Sequence, residues 1–286
     1  MGFAEQIPPV GSVEHRAMRQ FQIRTSNKPR PLPSGRWAMT QRLNDLLFAH
    51  WPLPPAALAP LIPDGMQIDT FQGSAWLGVV PFWMDRIRLR GLPSIPGARH
   101  FPEINLRTYV RDPQNGMPGV YFLSIDANNL LGAAAARVLY NLPCHWAEMR
   151  HQQRSEREFA FYCRRRFTGK PVVFKARYRG LGPSHKLADT RPGSLEFFLT
   201  ERYCLFTRDR EGQPARASIH HVPWPLEDAE AEIEHNDLPA SLGINLPSGP
   251  PVLHYSRRMA LYIWQLERLQ PTRGAHRMPA AAVPST

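Results

Sequence analysis

The stretch Phe101-Pro102-Glu103-Ile104-Asn105-Leu106-Arg107-Thr108-Tyr109-Val110 constrains the fold more than any other. Residue character alternates with period two, so a strand here has two unlike faces. Glu103, Asn105, Arg107 and Tyr109 share one face; Ile104, Leu106, Thr108 and Val110 share the other. An acid, an amide, a guanidinium and a phenol in one row fit either a solvated outer surface or a wet cavity inside a barrel. The turn signal Asp112-Pro113-Gln114-Asn115-Gly116 follows, since Asn and Gly tolerate positive φ. Residues 119–127 then read as a partner strand, giving an antiparallel hairpin.

Thirty prolines, many paired or beside glycine, break the rest into short elements. Residues 46–51 read as a strand and 54–62 as a short helix with proline in its first turn. Strands at 66–71 and 75–83 form a hairpin about Gln72-Gly73-Ser74. Asn128 caps a helix that runs through the alanines at 133–136 and stops before Pro143. Further strands are predicted at 146–150, 159–167 and 172–178, and a helix at 194–202. Residues 203–207 and 215–222 pair as a hairpin, and 225–233 reads as a short acidic helix. Residues 252–255 are a strand, and 258–269 a strand or a closing helix. The fold class is mainly β (α+β): an antiparallel β-barrel or cone with a few short packed helices. Residues 1–36 and 271–286 lack periodicity and read as disordered tails around one domain at 37–270.

The formal net charge of +11 is carried by arginine, for there are only four lysines, Lys28, Lys170, Lys175 and Lys186. Such a surface suits anionic partners. A biased base composition and solubility explain it better than nucleic-acid binding. Arg164-Arg165-Arg166 reads as a solvated strand end, and Lys175, Arg177 and Arg179 alternate onto one solvated face. Cys144, Cys163 and Cys204 are too few and too scattered for a disulfide framework, which points to reduced thiols and a cytoplasmic setting. Cys144-His145 and His220-His221 are adjacent pairs, so on a strand their members face opposite ways. That is poor geometry for a nucleophilic dyad or a metal site, and neither metal nor cofactor is expected. No apolar run is long enough for a membrane span, and the first residues lack a signal-peptide core. Assembly into a homo-oligomer is compatible with the sequence.

Several segments carry a resemblance. Leu47-Phe48-Ala49-His50-Trp51-Pro52, Gly73 through Phe82, the stretch 101–110, Gly119-Val120-Tyr121-Phe122, Ala136-Arg137, Leu142-Pro143 and Glu201-Arg202-Tyr203-Cys204 resemble the bacterial YqjF-like family of uncharacterised proteins. The match runs in order from about 37 to about 269. That family is similar in fold to acetoacetate decarboxylase, which implies a β-barrel or cone with helices outside and a cavity within. Acetoacetate decarboxylase works through a Schiff-base lysine beside a second lysine. The corresponding stretch here is Leu142-Pro143-Cys144-His145, and neither position after Pro143 is a lysine. The resemblance therefore does not carry decarboxylase chemistry over. It does imply Glu103 as a cavity acid.

In a cavity, desolvation would raise the pKa of Glu103 toward general acid or base use. Arg107 lies on the same face, about 13 Å further along by the rise per residue, and suits a carboxylate or phosphate. Asn105 between them would orient a carbonyl. Tyr109, Tyr121, Arg137 and His145 complete the candidate ligand-binding set around the catalytic candidates Glu103 and Arg107. Arg137 reaches the cavity, pairs with Glu103 or Asp126, or lies on the surface. Three functional readings stand open: a cavity enzyme of lyase or hydrolase type acting on a small anionic or carbonyl-bearing molecule, a non-catalytic binder of such a molecule, or a basic nucleic-acid-binding protein. The competing account of the polar row is a structural ion-pair network.

Overall fold

The structure, a computed structural model, describes residues 33, 35–91, 100–184 and 191–269. The expected C-terminal tail and nearly all of the N-terminal one lie outside the described residues. Twelve strands are described: β1 (Met39–Leu53), β2 (Gln67–Ile68), β3 (Ala75–Leu89), β4 (His100–Arg111), β5 (Pro118–Ala127), β6 (Cys144–Gln153), β7 (Glu158–Arg165), β8 (Val173–Gly180), β9 (Cys204–Arg208), β10 (Pro214–His220), β11 (Leu226–Asn236) and β12 (Val252–Arg268). The helices are short: Pro55–Leu58, Leu130–Tyr140 and Leu195–Thr200, with two 3₁₀ turns.

The strand pairings return on themselves. β12, β1, β3, β4, β5, β9 and β10 form one circuit, closed by β10 against β12. All its pairs are antiparallel except β5 with β9. A second path leaves β5 through β6, β7, β8 and β11 and rejoins at β12. Strands β12, β1, β3, β4 and β5 are thus a shared wall. Its two faces are chemically different because side chains alternate. Leu47, Ala49, Leu77, Val79, Ile104 and Leu106 turn to the second circuit, where Phe159, Phe161, Phe174 and Tyr178 fill the space with hydrocarbon and aromatic rings. Leu43, Phe48, Val80, Phe82, Phe101 and Met259 turn to the first. Fully burying such a side chain contributes roughly 1.5–3 kcal/mol, so the second lobe holds much of the stability.

The strand-dominated class with few short helices is as the sequence indicates; several elements differ. Residues 225–233 are not a helix but the start of β11, whose Ala229, Ala231 and Ile233 pack inward. Glu230 and Glu234 point outward, where they pair with Arg179 and with Lys175 and Arg177 of β8. That opposed charge ladder overrides the helical preference of alanine and glutamate. The hairpin expected about Gln72-Gly73-Ser74 shrinks to a bridge of Phe71 with Ser74. β2 crosses instead to β4, pairing Gln67 with Arg111 and Ile68 with Val110. The helix Leu130–Tyr140 is capped one residue later than read: Asn129 Oδ1 accepts from the Gly132 N–H at 2.8 Å. It ends at Asn141, which adopts a left-handed φ of 48° and turns the chain before Pro143 is reached. Residues 258–269 are strand, continuous with 252–255 as β12.

The arginine run is not uniformly solvated. Arg164 and Arg166 are exposed, but Arg165 between them is buried. It donates to both carboxylate oxygens of Asp126, at 2.6 and 2.7 Å, and to Ser124 Oγ at 3.0 Å. A bidentate, hydrogen-bonded geometry of this kind is what makes a buried ion pair tolerable.

Candidate functional site

The first circuit encloses a cavity of about 150 Å³. Two helices close it. Leu130–Tyr140 lies at the Phe101 end of β4, where Gly132 sits against the Phe101 ring. Leu195–Thr200 lies at the Arg107 end, where Phe198 packs on Tyr109. The lining is mostly apolar, with Glu103, Asn105 and Arg107 entering it from β4 and Gln41, Thr200, Arg202 and His221 from elsewhere.

Arg107 is set by a row across three strands. His50 of β1 is in register with Gly78 of β3, and Gly78 with Arg107 of β4. A Cβ at Gly78 would lie 2.9 Å from His50 Nε2 and 3.4 Å from Arg107 Cγ, so glycine is what lets the two side chains meet above it. Tyr109 completes the group: its hydroxyl lies 2.6 Å from His50 Nε2 and accepts from Arg107 Nη2 at 3.4 Å. Burial first, then the Arg107 charge, pushes the His50 pKa well down. The ring is thus kept neutral, hydrogen-bonded to the Tyr109 hydroxyl through Nε2. The guanidinium also lies 5.3 Å from the Phe48 ring centroid and contacts the Leu199 carbonyl at 3.5 Å. These are weak contacts. Arg107 Nε is buried with no hydrogen-bond partner, and no carboxylate among the described residues pairs with Arg107.

Asn105, 5% exposed, has a buried Oδ1 with no donor. Glu103 is only part-covered because it faces the cavity, but it is deep within the molecule. Desolvation, aided by the nearby Asp126 charge, raises its pKa from 4.5 to about 8. No hydrogen bond or ion pair from the described residues offsets this. At neutral pH the side chain is largely the protonated acid, able to give a proton as well as take one. Cys144 comes into the same wall because β6 runs parallel to β5 and pairs it with Ile125, which is in turn opposite Asn105. Burial, with help from Glu103, pushes the thiol up to about 12. It stays protonated and is not set up as a nucleophile.

Of the residues singled out from sequence, Glu103, Asn105 and Arg107 meet at the cavity, and Tyr109 supports Arg107 from below. The others lie elsewhere. Tyr121 is opposite Thr108 on the other side of a register shift and packs toward Val110 and Phe206. His145 alternates with Cys144 and faces away from the cavity. Arg137 is exposed on the outer side of its helix, and Asp126 is taken by Arg165. Sequence reasoning missed Thr200, Arg202 and His221. Arg202 is buried against Asp69, donating through Nη1 at 2.6 Å, with its guanidinium 4.2 Å from the Phe198 ring centroid. The Glu201-Arg202-Tyr203 sequence was the available signal. The described lysines, Lys170 and Lys175, are both outside the cavity.

Comparison with known proteins agrees with this architecture. The model of DUF2071, described as an uncharacterized conserved protein family, matches residues 40–260. The uncharacterized protein YqjF of Bacillus subtilis is 40% identical over 237 residues, covering 83% of this chain and 95% of that protein. Among solved structures, an acetoacetate decarboxylase-like enzyme of Sphingomonas wittichii superposes with a TM-score of 0.55 at 13% identity, over 82% of this chain and 94% of that one. Acetoacetate decarboxylase of Legionella pneumophila gives 0.54 at 12% identity, over 87% and 95%. The enduracididine biosynthesis enzyme MppR, complexed with pyruvate, gives 0.55 at 11% identity, over 86% and 95%. At these identities the likeness is one of fold. No helix among the described residues is long and apolar enough to cross a membrane.

Proposed function

We propose that this chain, which belongs to the DUF2071 family of uncharacterized conserved proteins, binds a small carboxylate- or carbonyl-bearing organic molecule in the cavity of its first circuit and transfers a proton to or from it through Glu103. The observation that carries the reading is the conjunction in one cavity of an unpaired guanidinium, an amide oxygen without a donor and a carboxyl without a partner. Buried polar groups are ordinarily satisfied, and a ligand's own groups are what these lack. Arg107 takes the ligand's carboxylate, Asn105 orients a polar group next to it, and Glu103 exchanges the proton. That fits a lyase-type step at carbon beside a carbonyl. A pyruvate complex of MppR, a protein of the same fold, is consistent with a ligand of this class. A Schiff base has no support, because no lysine lines the cavity among the described residues. The outward β8–β11 face has its basic groups matched by glutamates, which favours the interior over the surface as the working site.

The test is calorimetric binding of pyruvate, acetoacetate and related acids, with turnover followed by proton NMR in deuterated water. Arg107→Met is expected to weaken binding at least tenfold. Glu103→Gln is expected to keep binding and lose solvent-deuterium exchange at the carbon beside the carbonyl. Exchange that persists in Glu103→Gln removes the catalytic role. Binding unchanged by Arg107→Met removes the site.

A further inference from the structure

We infer that the ligand is an amphiphilic monocarboxylic acid, whose hydrocarbon or aromatic tail extends from the Arg107 end of the cavity toward the helix Leu130–Tyr140. This rests on the carboxylate site proposed above and adds the part of the molecule that site does not explain.

Among the described residues two arginines line the cavity, and only one of them lacks a carboxylate partner. Arg202 is held by Asp69 in a buried ion pair; Arg107 has no carboxylate partner. The head group is therefore fixed at the Arg107 end. Lining residues follow β4 away from it in order. Asn105 comes first, with Val80 of β3 opposite, and then Glu103, opposite Phe82. Beyond Glu103 the character changes. Phe101 pairs with Met84, and Met84 with Leu43 of β1. At the far limit Met39 pairs with Leu89. Past Glu103 on these strands Gln41 is the only polar lining residue among those described. The covering helix presents Gly132, Ala133 and Ala136 to this section, side chains small enough to leave room.

The distance is right for a tail. From Arg107 to Phe101 is six residues of strand, about 20 Å by the rise per residue, room for a chain of several carbons. A two- to four-carbon acid held at Arg107 does not reach the apolar section, whose hydrocarbon lining offers water few hydrogen bonds and suits an apolar chain. The tail also has a way in. Met39, Ile87 and Leu89 are partly exposed, and Leu139 is both 44% exposed and part of the lining, so the apolar section reaches the surface beside the end of the helix.

The experiment is a chain-length series on the unaltered protein: acetate, butanoate, hexanoate and octanoate, with 3-phenylpropanoate, octanol and pyruvate as further probes, measured by calorimetry. Affinity is expected to rise about three- to fourfold for each added methylene that reaches the apolar section, with octanoate well ahead of octanol. In Ala136→Phe, which fills that section, octanoate is expected to fall to the level of butanoate with pyruvate unaffected. Arg107→Met is expected to bring octanoate down to octanol. Pyruvate and butanoate binding through Arg107 with no gain from longer chains would overturn the inference and leave the carboxylate site standing. Octanoate binding no better than octanol would overturn both. Because the series uses the unaltered protein, a poorly folding Ala136→Phe does not decide the result.

Discussion

Glu103→Gln offers the sharpest physical test, because it replaces a titrating group by a neutral one of the same shape. The carboxyl has a pKa of about 8 in the folded chain and an ordinary 4.5 when unfolded. Between those values the unfolded state has given up its proton and the folded state has kept it. Fewer protons are then bound in the unfolded state, so stability falls as pH rises from about 4.5 to about 8 and levels off above. The raised pKa is thus a cost that is absent at low pH and complete at high pH. A shift of 3.5 units, 8 less 4.5, corresponds to a ceiling of about 5 kcal/mol. Water in a partly polar cavity lowers this, and roughly 2–3 kcal/mol is the expected reading. Glutamine carries no such cost. Urea unfolding at several pH values between 5 and 9 should therefore show the two proteins close at pH 5, with Glu103→Gln the more stable by 2–3 kcal/mol at pH 8.5 or above. Parallel stability curves for the two would mean that Glu103 titrates normally. The reasoning from burial to general acid would then fail.

Three other substitutions probe the frame around the site. Arg165→Met leaves Asp126 charged and buried without its partner and should cost about 3–5 kcal/mol in urea unfolding; a loss under 1 kcal/mol would mean the pair is open to solvent. Gly119→Ala places a Cβ 2.4 Å from the Cys204 carbonyl oxygen, at the parallel β5–β9 junction that completes the first circuit. It should destabilise by at least about 2 kcal/mol, and a neutral result would show that this junction yields. Tyr109→Phe removes the hydroxyl between His50 and Arg107. Stability should fall by about 1–3 kcal/mol, and carboxylate affinity with it, while a loss of stability alone would reduce Tyr109 to a structural role.

What the sequence disclosed was what local pattern encodes. The alternation at 101–110 identifies β4 and sorts its residues correctly onto two faces, because the period of two is a property of the strand itself. Whether that polar face looked to water or to an interior was not written there. It depends on β9, β10 and β12 coming round to close the circuit, through pairings such as Val120 with Leu205 between segments far apart in the chain. The errors have the same origin. In 225–233, alanine and glutamate favour helix by composition, and only the arginines and lysine of β8 explain why the strand prevails. Reading Arg164-Arg165-Arg166 as a single charged run averaged over the alternation that puts Arg165 inside. Arg202 and Thr200 reach the cavity from the end of a six-residue helix, and no periodicity in so short a segment points to one side.

The way this molecule treats its buried charges separates scaffold from site. Arg165 with Asp126 and Arg202 with Asp69 are each joined at hydrogen-bonding distance, with both members almost wholly enclosed. Removing a guanidinium from water is costly, and in these pairs a carboxylate returns the cost within the fold. Arg107 is treated differently. It sits over the Phe48 ring with two long hydrogen bonds and an unpartnered Nε, although Glu103 lies only four residues away on the same face. That carboxyl does not come to meet it, and its own desolvation goes unrelieved. A chain that builds two complete buried ion pairs has no difficulty making a third. Leaving both groups without a partner costs folding free energy, and on the function proposed above the return is a cation and an acid left available to one ligand.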